Sequence, residues 1–189
     1  MIHRLSEIVP ALREACREKG WLARSGEQAL LEVETPEASY VLDAREHTGP
    51  IYWRSLEGWA GRFGAEKRLI LLTMGFFPDR AIGQLLNEPE LAKRVTLVGM
   101  GLTSFFETEF RPKKFGQTEM PLFSVVEAVL ARSGVQLQEI SCHYCTGRPL
   151  VSCQICGALS CKNHFIVCPL CRAYLCHPDV KDCYFRHEC

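Results

Sequence analysis

The sequence predicts an α/β domain (or an α+β domain) with a mixed sheet, followed by a small cysteine-rich domain. Across residues 1–140, segments with helical spacing of apolar residues alternate with short apolar runs typical of strands. From residue 142 this pattern is lost, and ten of the eleven cysteines fall within the 48 positions 142–189. We therefore divide the chain into the α/β domain, residues 1–140, and the cysteine-rich module, residues 141–189.

In the first part of the α/β domain the sequence predicts one helix and then a hairpin. Residues 4–19 place apolar side chains at helical spacing, with the eleventh cysteine, Cys16, on the apolar face. Residues 29–34 and 39–45 have strand-like patterns separated by a proline-containing turn, which favours antiparallel pairing. A further short strand is predicted at residues 51–53.

In the middle of the domain the sequence predicts two buried strands joined through a helix. After a helix at residues 55–63, capped by Ser55, the continuous apolar run at residues 69–73 is typical of a strand buried on both faces. Residues 79–86 are predicted as a helix and residues 95–98 as a second buried strand. This order predicts one parallel crossover.

At the end of the domain the sequence predicts a loop and an amphipathic helix. Residues 102–106 are predicted as a short helical turn, and the polar residues 107–121 as an exposed loop. A helix then opens at Pro121 and ends at Ser133-Gly134.

Charge and hydropathy limit the classes of partner and compartment. The chain carries 22 basic and 22 acidic residues, so a nucleic-acid partner is compatible with the sequence but gains no support from charge. No secretory signal pattern opens the sequence, and the longest apolar stretch is too short to span a membrane. We therefore expect a cytoplasmic protein with no membrane partner.

The cysteine-rich module contains six pairs of metal-ligand residues. In order they are Cys142 and Cys145, Cys153 and Cys156, Cys161 and His164, Cys168 and Cys171, Cys176 and Cys183, and His187 and Cys189. Zinc in structural sites takes four sulfur or nitrogen ligands, so twelve ligands fill three sites, with two ions as the alternative count. A disulfide framework is the competing interpretation, but ligands two residues apart suit one metal ion better than a disulfide.

An internal repeat favours interleaved ligation over independent fingers. The spacing of Cys153, Cys156 and Cys161 recurs fifteen residues later. Our preferred assignment uses three groups, although other pairings fit the spacing equally well. The groups are Cys142, Cys145, Cys161 and His164; then Cys153, Cys156, Cys176 and Cys183; then Cys168, Cys171, His187 and Cys189. The module is also too short to fold alone. It buries too little apolar surface, and zinc would supply the missing stability. His143 and His177 are predicted to be solvated neighbours of ligands.

Two families resemble the module. Cys153-Gln-Ile-Cys156 and Cys168-Pro-Leu-Cys171-Arg172 resemble the first and last ligand pairs of RING fingers, which implies a ubiquitin-ligase-like role that recruits a ubiquitin-conjugating enzyme. The ligand order from Cys153 onward is also similar to the HIT and MYND zinc fingers, with a longer gap between Cys176 and Cys183. That resemblance implies a treble-clef type of module that binds another protein.

The α/β domain resembles the restriction-endonuclease fold, especially its Mrr-type branch, in its element order. That resemblance implies a nuclease whose acids would be Glu34 and Asp43, with Arg45 where the family has lysine. Arginine keeps its proton and positions water differently, so a catalytically degenerate scaffold is expected. The sequence therefore favours a non-enzymatic zinc-binding adaptor, with a ubiquitin-ligase component and a DNA-binding protein or nuclease as alternatives.

Overall fold

A computed structural model of the chain describes residues 4–101 and 112–189, and its main feature is a mixed seven-stranded sheet with helices on both faces. The helices are α1 (Val9–Glu18), α2 (Trp53–Ala60), α3 (Asp79–Leu86), α4 (Pro89–Ala92) and α5 (Pro121–Arg132). The strands of the sheet are β1 (Leu22–Arg24), β2 (Leu31–Glu34), β3 (Ser39–Arg45), β4 (Arg68–Thr73), β5 (Val95–Gly99), β6 (Lys113–Gly116) and β7 (Gln138–Glu139).

The spatial order of these strands is the same as their order in the chain. β1, β2 and β3 pair antiparallel, which confirms the predicted hairpin. β3, β4 and β5 run parallel, and the connection from β4 through α3 to β5 is the predicted crossover. β6 is antiparallel to β5, and β7 is parallel to β6.

Each face of the sheet carries its own apolar core. On one face α1 and α5 pack on alternate residues of the central strands, including Ile70 and Leu72 of β4, and Cys16 is buried there as predicted. On the other face α2 and α3 cover Leu69 and Leu71. The continuous apolar run of β4 therefore serves both cores, as expected for a strand covered on two sides. No helix in the described part of the chain has the length and apolarity needed to cross a membrane.

The predicted strand at residues 51–53 is wrong. Pairing there is limited to a single bridge between Pro50 and Phe76, because the chain enters a helix directly after Tyr52. α2 begins at Trp53 with Tyr52 as its N-cap, so Ser55 lies within the first turn and does not cap the helix.

The predicted loop at residues 107–121 is wrong in its second part, which contains β6. Lys113 and Lys114 give this segment its polar pattern, but Phe115 is buried in the second core. The ammonium group of Lys114 pairs with Glu127 at 2.5 Å and with Glu139 at 3.4 Å, which compensates its charge inside the sheet. The predicted turn at residues 102–106 and the start of the loop, to residue 111, lie outside the described residues.

The cysteine-rich module packs directly on the α/β domain. It contains two short hairpins, β8 (Val151–Ser152) with β9 (Leu159–Ser160), and β10 (Phe165–Val167) with β11 (Tyr174–Cys176). Leu159 of β9 is buried in the core beneath α2 and α3.

Polar contacts reinforce this docking. His143 Nε2 lies 3.3 Å from Asp79 Oδ2 at the start of α3. The guanidinium of Arg148 donates to the carbonyl oxygen of Gly116 at 2.9 Å. The module is therefore held by the buried Leu159, by one hydrogen bond to β6 and by a close polar contact with α3.

Gly83 allows α3 to approach β8, so Gly83→Ala should destabilise the protein although alanine favours helices. An added Cβ would lie 2.3 Å from Ser152 Oγ and 2.5 Å from Ser152 Cβ. We expect a loss of about 1–3 kcal/mol in urea unfolding, since such overpacking exceeds the helix-propensity gain.

Two controls isolate that contact. Ser152→Gly in the same chain should restore most of the loss, because it removes the atoms with which the new methyl group collides. Gly58→Ala on α2, where a Cβ would meet open space, should stabilise by about 1 kcal/mol. Equal effects of the two alanine substitutions would contradict tight docking at Gly83.

Candidate metal centre

The structure gathers the twelve predicted ligand residues into three groups of four. Within each group the candidate ligand atoms all lie within 4.8 Å of one another. Cluster 1 is Cys142, Cys145, Cys161 and His164; cluster 2 is Cys153, Cys156, Cys176 and Cys183; cluster 3 is Cys168, Cys171, His187 and Cys189. This grouping coincides with the preferred interleaved assignment, which spacing alone could not separate from other pairings.

The distances inside the clusters fit a tetrahedral metal ion. Sulfur atoms lie 3.6 Å apart for Cys145 and Cys161 and 3.4 Å apart for Cys168 and Cys189. Zinc–sulfur bonds of about 2.3 Å place tetrahedral sulfurs about 3.8 Å apart, whereas a disulfide requires about 2 Å. All eleven cysteines are free. The spacing therefore fits shared metal coordination and does not fit disulfides.

The donor set of the clusters suits zinc. Clusters 1 and 3 each offer three thiols and one imidazole, and cluster 2 offers four thiols. His164 faces its cluster with Nδ1, 3.4 Å from the sulfurs of Cys142 and Cys161. His187 faces cluster 3 with Nε2, 3.0 Å from Cys171 Sγ. Soft thiolates combined with imidazole in a four-ligand set favour zinc over magnesium or calcium.

The fifteen-residue repeat corresponds to two equivalent turns that carry candidate metal ligands, each enclosed by a hairpin. In the first turn Cys153 N–H donates to Ala158 O at 2.9 Å, and in the second Cys168 N–H donates to Ala173 O at the same distance. Each turn contains one residue with a positive φ. It is +76° at Gly157 in the first turn and +63° at Arg172 in the second. Glycine adopts that conformation freely, whereas arginine is strained there.

The pKa values of the thiols indicate why a bound cation would stabilise cluster 3. N–H groups of Cys171 and Leu170 donate to the sulfur of Cys168 and lower its pKa to about 6. Hydrogen bonding to Cys168 raises the pKa of Cys189 in the same cluster to about 11. In cluster 3 one thiol thus ionises readily and opposes ionisation of its neighbour, a conflict that a bound divalent ion would remove.

Cluster 2 follows the same pattern in a more buried setting. Burial opposes ionisation of Cys156, but the N–H of Ala158 and neighbouring thiols outweigh it and lower its pKa to about 7. Burial raises the pKa of Cys176 to about 11.

The two remaining histidines of the module lie outside the clusters. His143 accepts the N–H of Leu159 on Nδ1 at 3.1 Å and faces Asp79 with Nε2. His177 accepts the N–H of Asp179 on Nδ1. Sequence reasoning placed both beside ligands but missed that His143 links cluster 1 to the α/β domain. It also missed Tyr144, whose hydroxyl lies 3.1 Å from Cys176 Sγ, because nothing in the sequence signals that contact.

The structure does not bring the three nuclease candidates together. Glu34 pairs with Ser39 across the hairpin, and Asp43 lies four residues further along β3, about 13 Å away at the rise of a strand. Glu34 is exposed and hydrogen-bonds Ser39. These two acids therefore do not share a metal ion.

Asp43 and Arg45 have structural contacts instead. The carboxylate of Asp43 accepts the indole N–H of Trp59 at 2.6 Å, a guanidinium N–H of Arg62 at 2.6 Å and the backbone N–H of Leu30 at 3.2 Å. The guanidinium of Arg45 stacks 4.4 Å from the Trp59 ring centre, and burial followed by the charge of Arg62 lowers its pKa.

Comparisons of the chain with protein-family models, curated proteins and solved structures found no match. The resemblances to RING, HIT and MYND fingers and to Mrr-type nucleases therefore stay predictions.

Proposed function

We propose that the chain is a zinc-dependent adaptor whose cysteine-rich module binds another protein. The observation that carries the proposal is a repeated exposed aliphatic side chain. Ile155 and Leu170 occupy the same position in the two equivalent turns and are 44% and 81% exposed. A metal-held turn fixes such a side chain outward without a core beneath it. Fixed apolar groups at a protein surface are typical of binding sites.

Exposed apolar side chains are concentrated in the module. Among the described residues six large hydrophobic side chains are exposed, and the four that belong to the module are Leu150, Ile155, Leu170 and Phe185. The module is about a quarter of the chain, yet it contributes four of these six exposed side chains.

The first turn lies against the hairpin that encloses the second turn. The N–H of Gln154, in the first turn, donates to the carbonyl oxygen of Tyr174 on β11 at 2.9 Å. This contact places the turn that carries Ile155 beside the hairpin that carries Leu170. A partner of ordinary interface size can therefore reach both side chains.

The metal supports recognition and takes no part in chemistry under this proposal. Each cluster offers four protein ligands, which closes a tetrahedral site and leaves no position for water or substrate. The balanced overall charge suits a protein partner better than a nucleic acid.

Affinity purification with matched variants tests the proposal. Leu170→Ser and Ile155→Ser should lose a partner that the wild-type chain retains, with unchanged zinc content. Leu22→Ser removes a leucine that is 49% exposed on β1 of the α/β domain, and it should retain the partner. If every protein recovered with the wild type is recovered equally with Leu170→Ser and after zinc removal, the adaptor role is wrong.

A ubiquitin-ligase component is the second candidate, and the positive φ of Arg172 favours it. That backbone conformation is strained for arginine and costs about 1–2 kcal/mol, so glycine at this position would be more stable. Such strain is typical of functional positions. The resemblance to RING fingers assigns Arg172 and Ile155 to contact with a ubiquitin-conjugating enzyme.

Transfer assays separate this candidate from a simple adaptor. Ile155→Ala, Arg172→Ala and Arg172→Gly should each abolish discharge of ubiquitin from a conjugating enzyme without loss of zinc. Arg172→Gly is the sharpest of the three, because it should raise thermal stability while it removes activity. No discharge with the wild-type chain across a panel of conjugating enzymes would reject this candidate and leave the adaptor proposal standing.

A further inference from the structure

The turn between Cys142 and Cys145 connects cluster 1 to two other parts of the molecule. Its two intervening side chains leave the cluster in different directions. His143 reaches Asp79 on α3, as described above. Tyr144 reaches cluster 2, where its hydroxyl lies 3.1 Å from Cys176 Sγ, and its ring packs edge-on against His164 with ring centres 5.7 Å apart.

Cluster 2 carries more negative charge than its neighbours when metal is bound. Four thiolates around a divalent ion give a formal charge of −2, whereas three thiolates and a neutral imidazole give −1. Cys153, Cys176 and Cys183 are at most 2% exposed, so water does little to stabilise that charge. A buried charge requires hydrogen-bond donors from the protein.

The structure places one side-chain hydroxyl within hydrogen-bond distance of a cluster 2 sulfur. A thiolate only accepts hydrogen bonds, and a phenol keeps its proton at neutral pH, so the Tyr144 hydroxyl donates to Cys176. Tyr144 is the donor on the partly buried side, and its backbone position is set by the two flanking ligands of cluster 1.

We propose that Tyr144 is an outer-sphere ligand of cluster 2, a positioning residue through which cluster 1 sets how firmly cluster 2 holds its ion. This inference rests on the metal-binding part of the proposed function. Outer-sphere hydrogen bonds to metal ligands commonly change metal affinity by about 10-fold to 100-fold. The coupling is reciprocal, so an ion lost from cluster 2 should also loosen cluster 1.

Cobalt substitution in the full chain tests this role. Thiolate is a weaker-field ligand than imidazole, so Co²⁺ in cluster 2 absorbs at longer wavelength than in clusters 1 and 3. After addition of EDTA, the four-sulfur band of Tyr144→Phe should decay about 10-fold faster than that of the wild type. Tyr174→Phe is the control: it removes a hydroxyl from the module that makes no hydrogen bond among the described residues, and its decay should match the wild type.

A double-variant cycle tests the connection to cluster 1. Cys145→Ser weakens cluster 1 and should also speed decay of the four-sulfur band. In the Tyr144→Phe background the same substitution should add less, because the connection is already removed. Equal decay in the wild type and Tyr144→Phe, or fully additive effects in the cycle, would overturn the inference. A wild-type chain that develops no four-sulfur band would instead show that the metal assignment itself is wrong.

Discussion

Removal of metal from the intact chain is expected to unfold the cysteine-rich module and leave the sheet of the α/β domain folded. The module's apolar clusters consist largely of the cysteines themselves, with few aliphatic side chains around them. Structural zinc adds on the order of 10 kcal/mol per site in isolated zinc fingers. Hydrogen exchange should therefore show loss of protection in β8 to β11 after chelation, while β3, β4 and β5 stay protected.

Metal counting on variants gives the matching control. Elemental analysis should find three zinc ions per chain, two in Cys183→Ala and three in Cys16→Ala, because Cys16 is buried in the core beneath α1 and α5. Protection in the core of α2 and α3 should fall modestly on chelation, since Leu159 leaves it. A wild-type value near one ion, or a module that stays protected without metal, would contradict the three-cluster assignment.

Asp43→Ala is expected to cost about 3 kcal/mol of folding stability, because it leaves the buried indole N–H of Trp59 and the N–H of Leu30 without acceptors. It also removes the ion pair with Arg62, whose side chain is partly exposed and can be solvated. Urea unfolding followed by tryptophan fluorescence measures the loss.

Glu34→Ala is the matched control for Asp43→Ala, since Glu34 is an exposed acid on the same hairpin. Its stability should stay within about 0.5 kcal/mol of the wild type. If Asp43→Ala instead retained full stability and lost a magnesium-dependent DNA-nicking activity of the wild type, the carboxylate would be catalytic.

The residues that sequence reasoning placed correctly are those with strong local constraints. The continuous apolar run from Leu69 to Leu72 is typical of a strand covered on both faces, and cysteines two residues apart suit one metal ion better than a disulfide. Grouping the pairs into clusters depended on how two hairpins stack, which spacing does not specify. The preferred grouping agreed with the structure because the repeat favoured interleaving.

The errors arose where tertiary partners outweigh local pattern. Lys113 and Lys114 indicated a loop, but Glu127 and Glu139, which pair with Lys114, are distant in the sequence. Asp43 stays a nuclease candidate by sequence alone, because a single sequence does not distinguish an acid bound by an indole from one that binds a cation. β1 and β7 have three and two residues and are too short to show a period.

The match between chain order and spatial order in the main sheet bears on how the protein is made. Each strand pairs with the strands that precede and follow it, so a chain emerging from the ribosome can add β1 to β5 in turn, without waiting for a distant segment. Every newly exposed edge is covered by the next strand to emerge, which shortens the time in which that edge can pair with another molecule. The ten cysteines of the module emerge after β7, when the surface that receives Leu159 can already be assembled. The reactive thiols of the module therefore emerge beside an α/β domain that can already be folded. Metal binding by these thiols then competes best with their oxidation.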